Sequence, residues 1–250
     1  MSDVVNHEAF NGFGRFILPA ERSYNDNMTL QNVASMLPYH NYITGERAVE
    51  TINTMVDYVH DGNTLFYDIY SDADKQADSR KNNTGLFFFR GEPGKPFAIV
   101  CPGGGFSYVG AIHEGFPLAI ALSKMGYNAF SIQYRTGGAQ VACEDLAGAI
   151  DFIMRHAEEL QVSTDDYSLW GGSAGARMAA YLGSYGTQGF ISAVHPRPAT
   201  VVMGYTGHSD YTRNDPPTYV VIGDNDAIAS ASVMRQRVEN LQAIGIDAEF

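Results

Sequence analysis

Apolar positions along this 250-residue chain change their period more than once, dividing it into an irregular opening and a regular remainder. Val49, Ile52, Val56 and Val59 recur at spacings of three and four, which predicts a helix over residues 44–59 with one apolar face. Before it, residues 28–37 read as a further helix stopped by Pro38, within an otherwise aromatic and polar opening. Residues 1–63 are therefore expected to be a helical extension, either a cap over a site or an arm packed on a sheet edge. Residues 64–70 alternate and residues 85–90 form a short apolar run. These are expected to be paired strands, with 72–83 as an exposed polar loop between them.

From Pro96 the pattern becomes regular. Residues 97–101, 128–134, 167–170, 200–203 and 218–222 read as strands. The helices between them cover 113–125, closed by Gly126, and a long stretch whose face is Ala142, Leu146, Ala149, Ile153, Ala157 and Leu160. A third has Met234, Val238, Leu241 and Ile244 on its buried side and ends at Gly245. Strands alternating with helices of this length form right-handed βαβ units. The expected fold is a three-layer α/β/α domain over residues 64–250, with a mainly parallel sheet covered by helices on both faces.

Composition changes this picture only at its margins. A hydrophobic fraction of 45% suits one large core. A net charge of -12 without any basic block argues against nucleic acid or an anionic membrane as partner and favours a small molecule. The first residues carry no basic or apolar leader, and no run approaches the 18 apolar residues of a membrane span. A cytoplasmic protein is expected, with Cys101 and Cys143 as buried free thiols. Self-association into a homo-oligomer is left open. No cofactor is expected.

Residues 168–180 carry the chemistry: a short apolar run, then Gly171-Gly172-Ser173-Ala174-Gly175, then a helix-forming segment. In a chain with 26 glycines the G-x-S-x-G spacing alone is weak, and its context decides. Strand, sharp turn and helix are the setting of a nucleophile elbow, whose flanking positions must be small because strand and helix nearly touch. A serine nucleophile also needs a base, an acid to orient the base, and donors for the oxyanion. Gly104 and Gly105, in Pro102-Gly103-Gly104-Gly105-Phe106 after a buried strand, could supply donors together with the backbone of Ala174. That run matches neither G-x-G-x-x-G nor a P-loop. The acid is sought in Gly223-Asp224-Asn225-Asp226. Asp226 is favoured, with Asp224 expected to stabilise the turn through backbone hydrogen bonds.

PGGGF after a strand, GGSAG, and GDND after a later strand resemble the α/β-hydrolase esterases, especially small bacterial acetyl esterases and acetylxylan-esterase-like hydrolases. The resemblance covers residues 64–250. It implies Ser173 as nucleophile, Asp226 as acid, and Gly104, Gly105 and Ala174 as the oxyanion hole. It further implies a carboxylic-ester hydrolase acting on short acyl esters, acetylated sugars among them. A peptidase, a thioesterase or a non-catalytic binding protein on the same fold remain alternatives. Pro102 stands where the family's H-G-G-G begins with histidine. Tyr134, Arg135 and Asp145 fall at structural positions of such proteins. Phe106, His113 and His208 are candidate pocket residues.

The base is missing from this pattern. In such hydrolases the histidine follows the acid, yet all seven histidines precede Asp226. The last residues, Asp247 to Phe250, read as the start of one more strand. The expectation is a longer protein whose histidine lies past Phe250, and slow turnover without it.

Overall fold

The computed structural model describes residues 1–38, His40 and residues 42–250. Eight strands form one sheet: β1 (Phe66–Tyr67), β2 (Gly85–Phe89), β3 (Pro96–Cys101), β4 (Asn128–Gln133), β5 (Ser163–Gly172), β6 (Thr200–Gly204), β7 (Thr218–Val221) and β8 (Ala248–Glu249). Their order is β1-β2-β4-β3-β5-β6-β7-β8. β2 runs antiparallel to both β1 and β4, and every other neighbouring pair is parallel. The helices are α1 (Ser2–Val5), α2 (Gly45–His60), α3 (Asp72–Ala77), α4 (Phe116–Lys124), α5 (Ala139–Arg155), α6 (Ala157–Leu160), α7 (Ala174–Tyr185) and α8 (Ala231–Ala243). Among the described residues, no helix is long and apolar enough to cross a membrane.

The core lies where β3 meets β4 and β5. Ala98, Ile99, Phe130 and Leu169 are fully buried, and their apolar area removed from water is the main driving force for folding. Aromatic rings lock this region together: Phe88 stacks on Phe130 at 4.2 Å and Phe97 on Tyr167 at 4.8 Å. Helix α4 packs on β2, β3 and β4, α7 on β3, β5 and β6, and α8 on β7 and β8, while α5 lies against α7.

Several local expectations are corrected. Residues 30–36 form a 3₁₀ helix, with Thr29 and Asn32 closing a capping box at its start. Helix α2 begins after the Thr44 cap as expected, but its buried stripe is Ala48, Ile52 and Met55, and Val49 faces solvent. Residues 72–83 are exposed yet structured, as α3 and a 3₁₀ turn, because Ser71 and Asp74 form a capping box there. The helix expected from His113 opens instead with a π turn, Ala111–Gly115, before α4. The long helix breaks at His156, whose ring stacks on Phe152 and whose Nδ1 hydrogen-bonds the Phe152 carbonyl.

Register assigns each face of the sheet near its β8 edge. Leu169, Val201, Thr218 and Ala248 lie side by side across β5 to β8 and are all buried. On the opposite face Trp170, Val202 and Tyr219 form a matching row that is half-buried at Trp170 and Val202 and 46% exposed at Tyr219. Val221, two residues further along β7, is 53% exposed. Helical cover on this second face therefore thins out towards β7.

Arg135 and Asp145, which the resemblance places at structural positions, form a buried ion pair. Asp145, fully buried, accepts from the Arg135 backbone N–H at 2.6 Å, from Arg135 Nε at 2.9 Å and from the Tyr70 hydroxyl at 2.7 Å. The guanidinium also reaches Asp78 and Glu144. Removing Asp145 leaves the buried guanidinium only its partly exposed partners Asp78 and Glu144 and takes the acceptor from the Arg135 N–H and the Tyr70 hydroxyl, so Asp145→Ala is expected to lower unfolding free energy by about 3–5 kcal/mol, measured by denaturant titration. A loss under about 1 kcal/mol would mean that water already screens the pair.

Candidate active site

Ser173 stands between the end of β5 and the first residue of α7 with φ 52° and ψ −116°. A side chain at positive φ costs on the order of 1–3 kcal/mol and persists only where the surroundings enforce it. Here close packing enforces it. A Cβ on Gly175 would run into the Cys101 carbonyl, and one on Gly171 into the backbone of Gly175. The Ser173 N–H donates to the Gly204 carbonyl at 2.9 Å, which ties the turn to β6.

The glycine loop follows β3 and lies against this turn. A Cβ on Gly103 would stand 3.0 Å from Ser173 Cβ. Gly104 and Gly105 have φ of 146° and 60°, and the Gly104 carbonyl accepts from the backbone of Ser107 and Tyr108. Among the described residues, no backbone hydrogen bond of this loop uses the N–H of Gly104 or Gly105. The Ala174 N–H opens α7, where helix geometry leaves the first donors without an internal acceptor.

Ser173, Gly104, Gly105 and Asp226 line one cavity of about 620 Å³, together with Arg22, Pro38, His40, Tyr42, Ser107, Tyr108, Tyr205 and Ile228. The two aspartates divide their work differently from the expectation. Asp226 itself holds the turn, its Oδ1 accepting from the backbone N–H groups of Ile228 and Ala229, both at 2.8 Å. Asp224 has its side chain 83% exposed and pairs with Arg235 at 3.3 Å.

Phe106, His113 and His208 are not among the residues lining this cavity. Phe106 packs against the core at φ 58°. His113 is buried, donates from Nε2 to the Val33 carbonyl at 2.8 Å, and lines a neighbouring cavity of about 470 Å³ between α2 and α4. His208 is buried edge-on against Tyr181 at 4.7 Å. Burial lowers the pKa of both histidines to about 4, helped for His208 by the positive charges of Arg237 and Arg177. Cys101 and Cys143 are free, buried thiols.

A cluster stands at the cavity wall, where His40, Tyr42 and Tyr205 line the cavity and Glu114, behind them, lines the neighbouring one. His40 Nε2 lies 2.7 Å from Glu114 Oε1, and the Tyr205 hydroxyl donates to Glu114 Oε2. Tyr42 donates to the His113 carbonyl at 3.2 Å. Glu114 was visible beside His113 in the sequence, but His40 and Tyr42 come from an opening segment with no periodic signal. Among the described residues, no group of three His, Cys, Asp or Glu side chains is arranged to hold a metal ion.

Residues 90–199 match the BD-FAE family model, a span that runs from the end of β2 to just before β6. The structure is similar to an α/β hydrolase enzyme from a Medee basin deep-sea metagenome library, with 24% identity and a TM-score of 0.57, over 67% of this chain and 74% of that one. It is also similar to a sugar hydrolase from Lactococcus lactis (21% identity, TM-score 0.57, 66% and 77% covered). A further similar structure is esterase 2 of Thermogutta terrifontis phosphonylated by cyclosarin (18% identity, TM-score 0.59, 66% and 75% covered). The chain has the α/β-hydrolase fold. No curated protein matches the sequence. The α/β-hydrolase fold accounts for the antiparallel β2 within an otherwise parallel sheet after β1, and for the position of Ser173 after β5 at the carboxyl end of the central strands.

Proposed function

We propose that this α/β hydrolase is a serine ester hydrolase that acts on short acyl esters, acetylated sugars among them, through an acyl-enzyme on Ser173. The observation that carries the reading is Ser173 at positive φ, opening into one cavity with Gly104, Gly105 and Asp226. The Ser173 hydroxyl attacks the ester carbonyl and gives up its proton to a base. The carbonyl oxygen takes the negative charge and is met by the N–H groups of Ala174 and of Gly104 or Gly105. Collapse expels the alcohol, which takes a proton, and water then releases the acid from Ser173. Tyr42, Tyr108 and Tyr205 in the cavity wall suit an alcohol with both apolar and hydroxylated faces, such as a sugar. We place the protein in the cytoplasm, where buried thiols stay reduced.

Asp226 is proposed as the acid that orients the base. Asp226→Asn keeps an oxygen for the Ile228 and Ala229 N–H groups and removes only the charge. Turnover by a form supplied with a base is expected to fall by a factor on the order of 10⁴. Asp224→Asn, which breaks only an exposed ion pair, should leave it within about twofold. The reverse ranking in kcat assigns the acid to Asp224. Rates on acetyl esters, thioesters and aminoacyl amides of equal acyl size test the substrate class, and faster cleavage of the amide or thioester overturns the ester reading.

A further inference from the structure

The Glu114 carboxylate sits among glycines. A Cβ on Gly103 or on Gly110 would stand 3.1 Å from Glu114 Oε1, and one on Gly172 would meet Oε2 and the Tyr205 hydroxyl. The carboxylate therefore touches both the glycine loop and the residue before Ser173, and the absence of three side chains leaves it room. Both of its oxygens are held, Oε1 by His40 Nε2 and Oε2 by Tyr205. His40 Nδ1 lies 2.8 Å from the Pro38 carbonyl, so both ring nitrogens face acceptors, an arrangement that favours the imidazolium form. The two side chains are only 10% and 9% exposed. Tyr205 keeps its grip at φ 35°, a further non-glycine residue at positive φ.

We propose that Glu114 is a positioning residue for Ser173, holding the glycine loop against the elbow at the separation one oxyanion needs, and that His40 is its counter-ion. This rests on Ser173 being the nucleophile. Charge developing on a carbonyl oxygen near an uncompensated, nearly buried carboxylate would be repelled, and a protonated His40 offsets that repulsion. The same pair fastens the N-terminal arm, through His40, to the catalytic wall. Glu114 thus joins four parts of the chain: the arm, the glycine loop, the elbow and the end of β6.

Protonation of His40 should then govern the site. The groups facing its ring are Glu114, His113 at 5.3 Å, Tyr42 at 5.9 Å and Tyr108 at 6.2 Å, with Arg22 over Tyr108 and with Tyr205 and Asp226 across the cavity. Burial lowers the His40 pKa, but the hydrogen bond and charge of Glu114 outweigh it, and the net shift is upward. A pKa raised by folding means that the pair contributes fully below about 6.5 and is lost as pH rises through the raised value. Ser173 reactivity therefore carries an alkaline limb that belongs to His40.

The experiment uses the full chain, the rate of labelling by a fluorophosphonate from pH 5 to 10, and an NMR titration of the histidine rings. His40 is expected to titrate above 6.5, and at or below it in Glu114→Gln. An unshifted His40 in that variant overturns the pairing. Glu114→Gln should slow labelling about tenfold and flatten the alkaline limb, and His40→Ala should slow it by about 10², the cost of an active site displaced by about an ångström. The double variant His40→Ala, Glu114→Gln should label faster than His40→Ala alone, because it no longer buries a lone carboxylate. A double variant as slow as the single one overturns the counter-ion role, and wild-type rates in Glu114→Gln overturn the positioning role. A wild-type chain that is not labelled at any pH, even with imidazole added as a base, overturns the nucleophile reading instead, while the titration still judges the Glu114–His40 pair.

Discussion

Ser173→Ala is expected to take fluorophosphonate labelling from one equivalent per chain to none and to remove ester turnover that proceeds through an acyl-enzyme. The fold should not change. The Ser173 side chain makes no hydrogen bond among the described residues, and its backbone bonds to Gly204 and Arg177 remain available to alanine. Alanine at φ 52° carries the same backbone strain as serine, so the thermal midpoint should stay within a few degrees, the shift expected of about 1 kcal/mol or less. Mass spectrometry of the labelled chain reads the result directly. A covalent adduct retained at full stoichiometry in the alanine variant would move the nucleophile elsewhere.

The second large effect concerns the proton that Ser173 must lose. Among the described residues His40 is the only histidine lining the cavity, and both its ring nitrogens are engaged by Pro38 and Glu114. His208, buried against Tyr181 with its pKa near 4, is turned to structural use. Residues 1–250 alone are therefore expected to hydrolyse acetyl esters slowly, with only the roughly 10³- to 10⁴-fold advantage over water that donors and binding retain when a triad member is missing. Added imidazole should raise the rate in proportion to its neutral form. A longer chain carrying a histidine in a loop after β8 should restore several further orders of magnitude, since the strand beside the Asp226 loop is where this fold places its base. Full turnover by residues 1–250, abolished by His40→Ala, would make His40 the base and set aside its role as counter-ion.

Much of the architecture could be read from periodicity, because parallel strands buried on both faces are near-continuous apolar runs. β3, β4, β6 and β7 each fall within a residue or two of their apolar segments. The errors share a cause, which is that local hydrogen-bonding groups outweigh periodicity. The Ser71–Asp74 capping box turned a polar loop into a helix, and His156 broke a helix whose apolar stripe continued past it. In the site, Ser173 and the glycine loop were legible because their chemistry is contiguous in sequence. Glu114 stands out beside His113, but His40 and Tyr205 do not, since they lie 74 and 91 positions from Glu114 and only folding brings the three together. Even the glycines were only half understood: Gly103 and Gly172 make room for a carboxylate as well as for backbone.

Trp170 is the sole tryptophan of the chain, and it lies in the half-covered row beside Val202 and Tyr219, three residues before Ser173. Its indole N–H donates to Ser168 Oγ at 2.8 Å, which fixes the ring on that open face. The protein therefore carries its own optical reporter: every photon of indole emission originates from one ring, three residues from the elbow. Anything that lies down on the Trp170–Tyr219 row and excludes water should shift that emission to the blue, while unfolding should shift it to the red. No dye or engineered label is needed to follow either event.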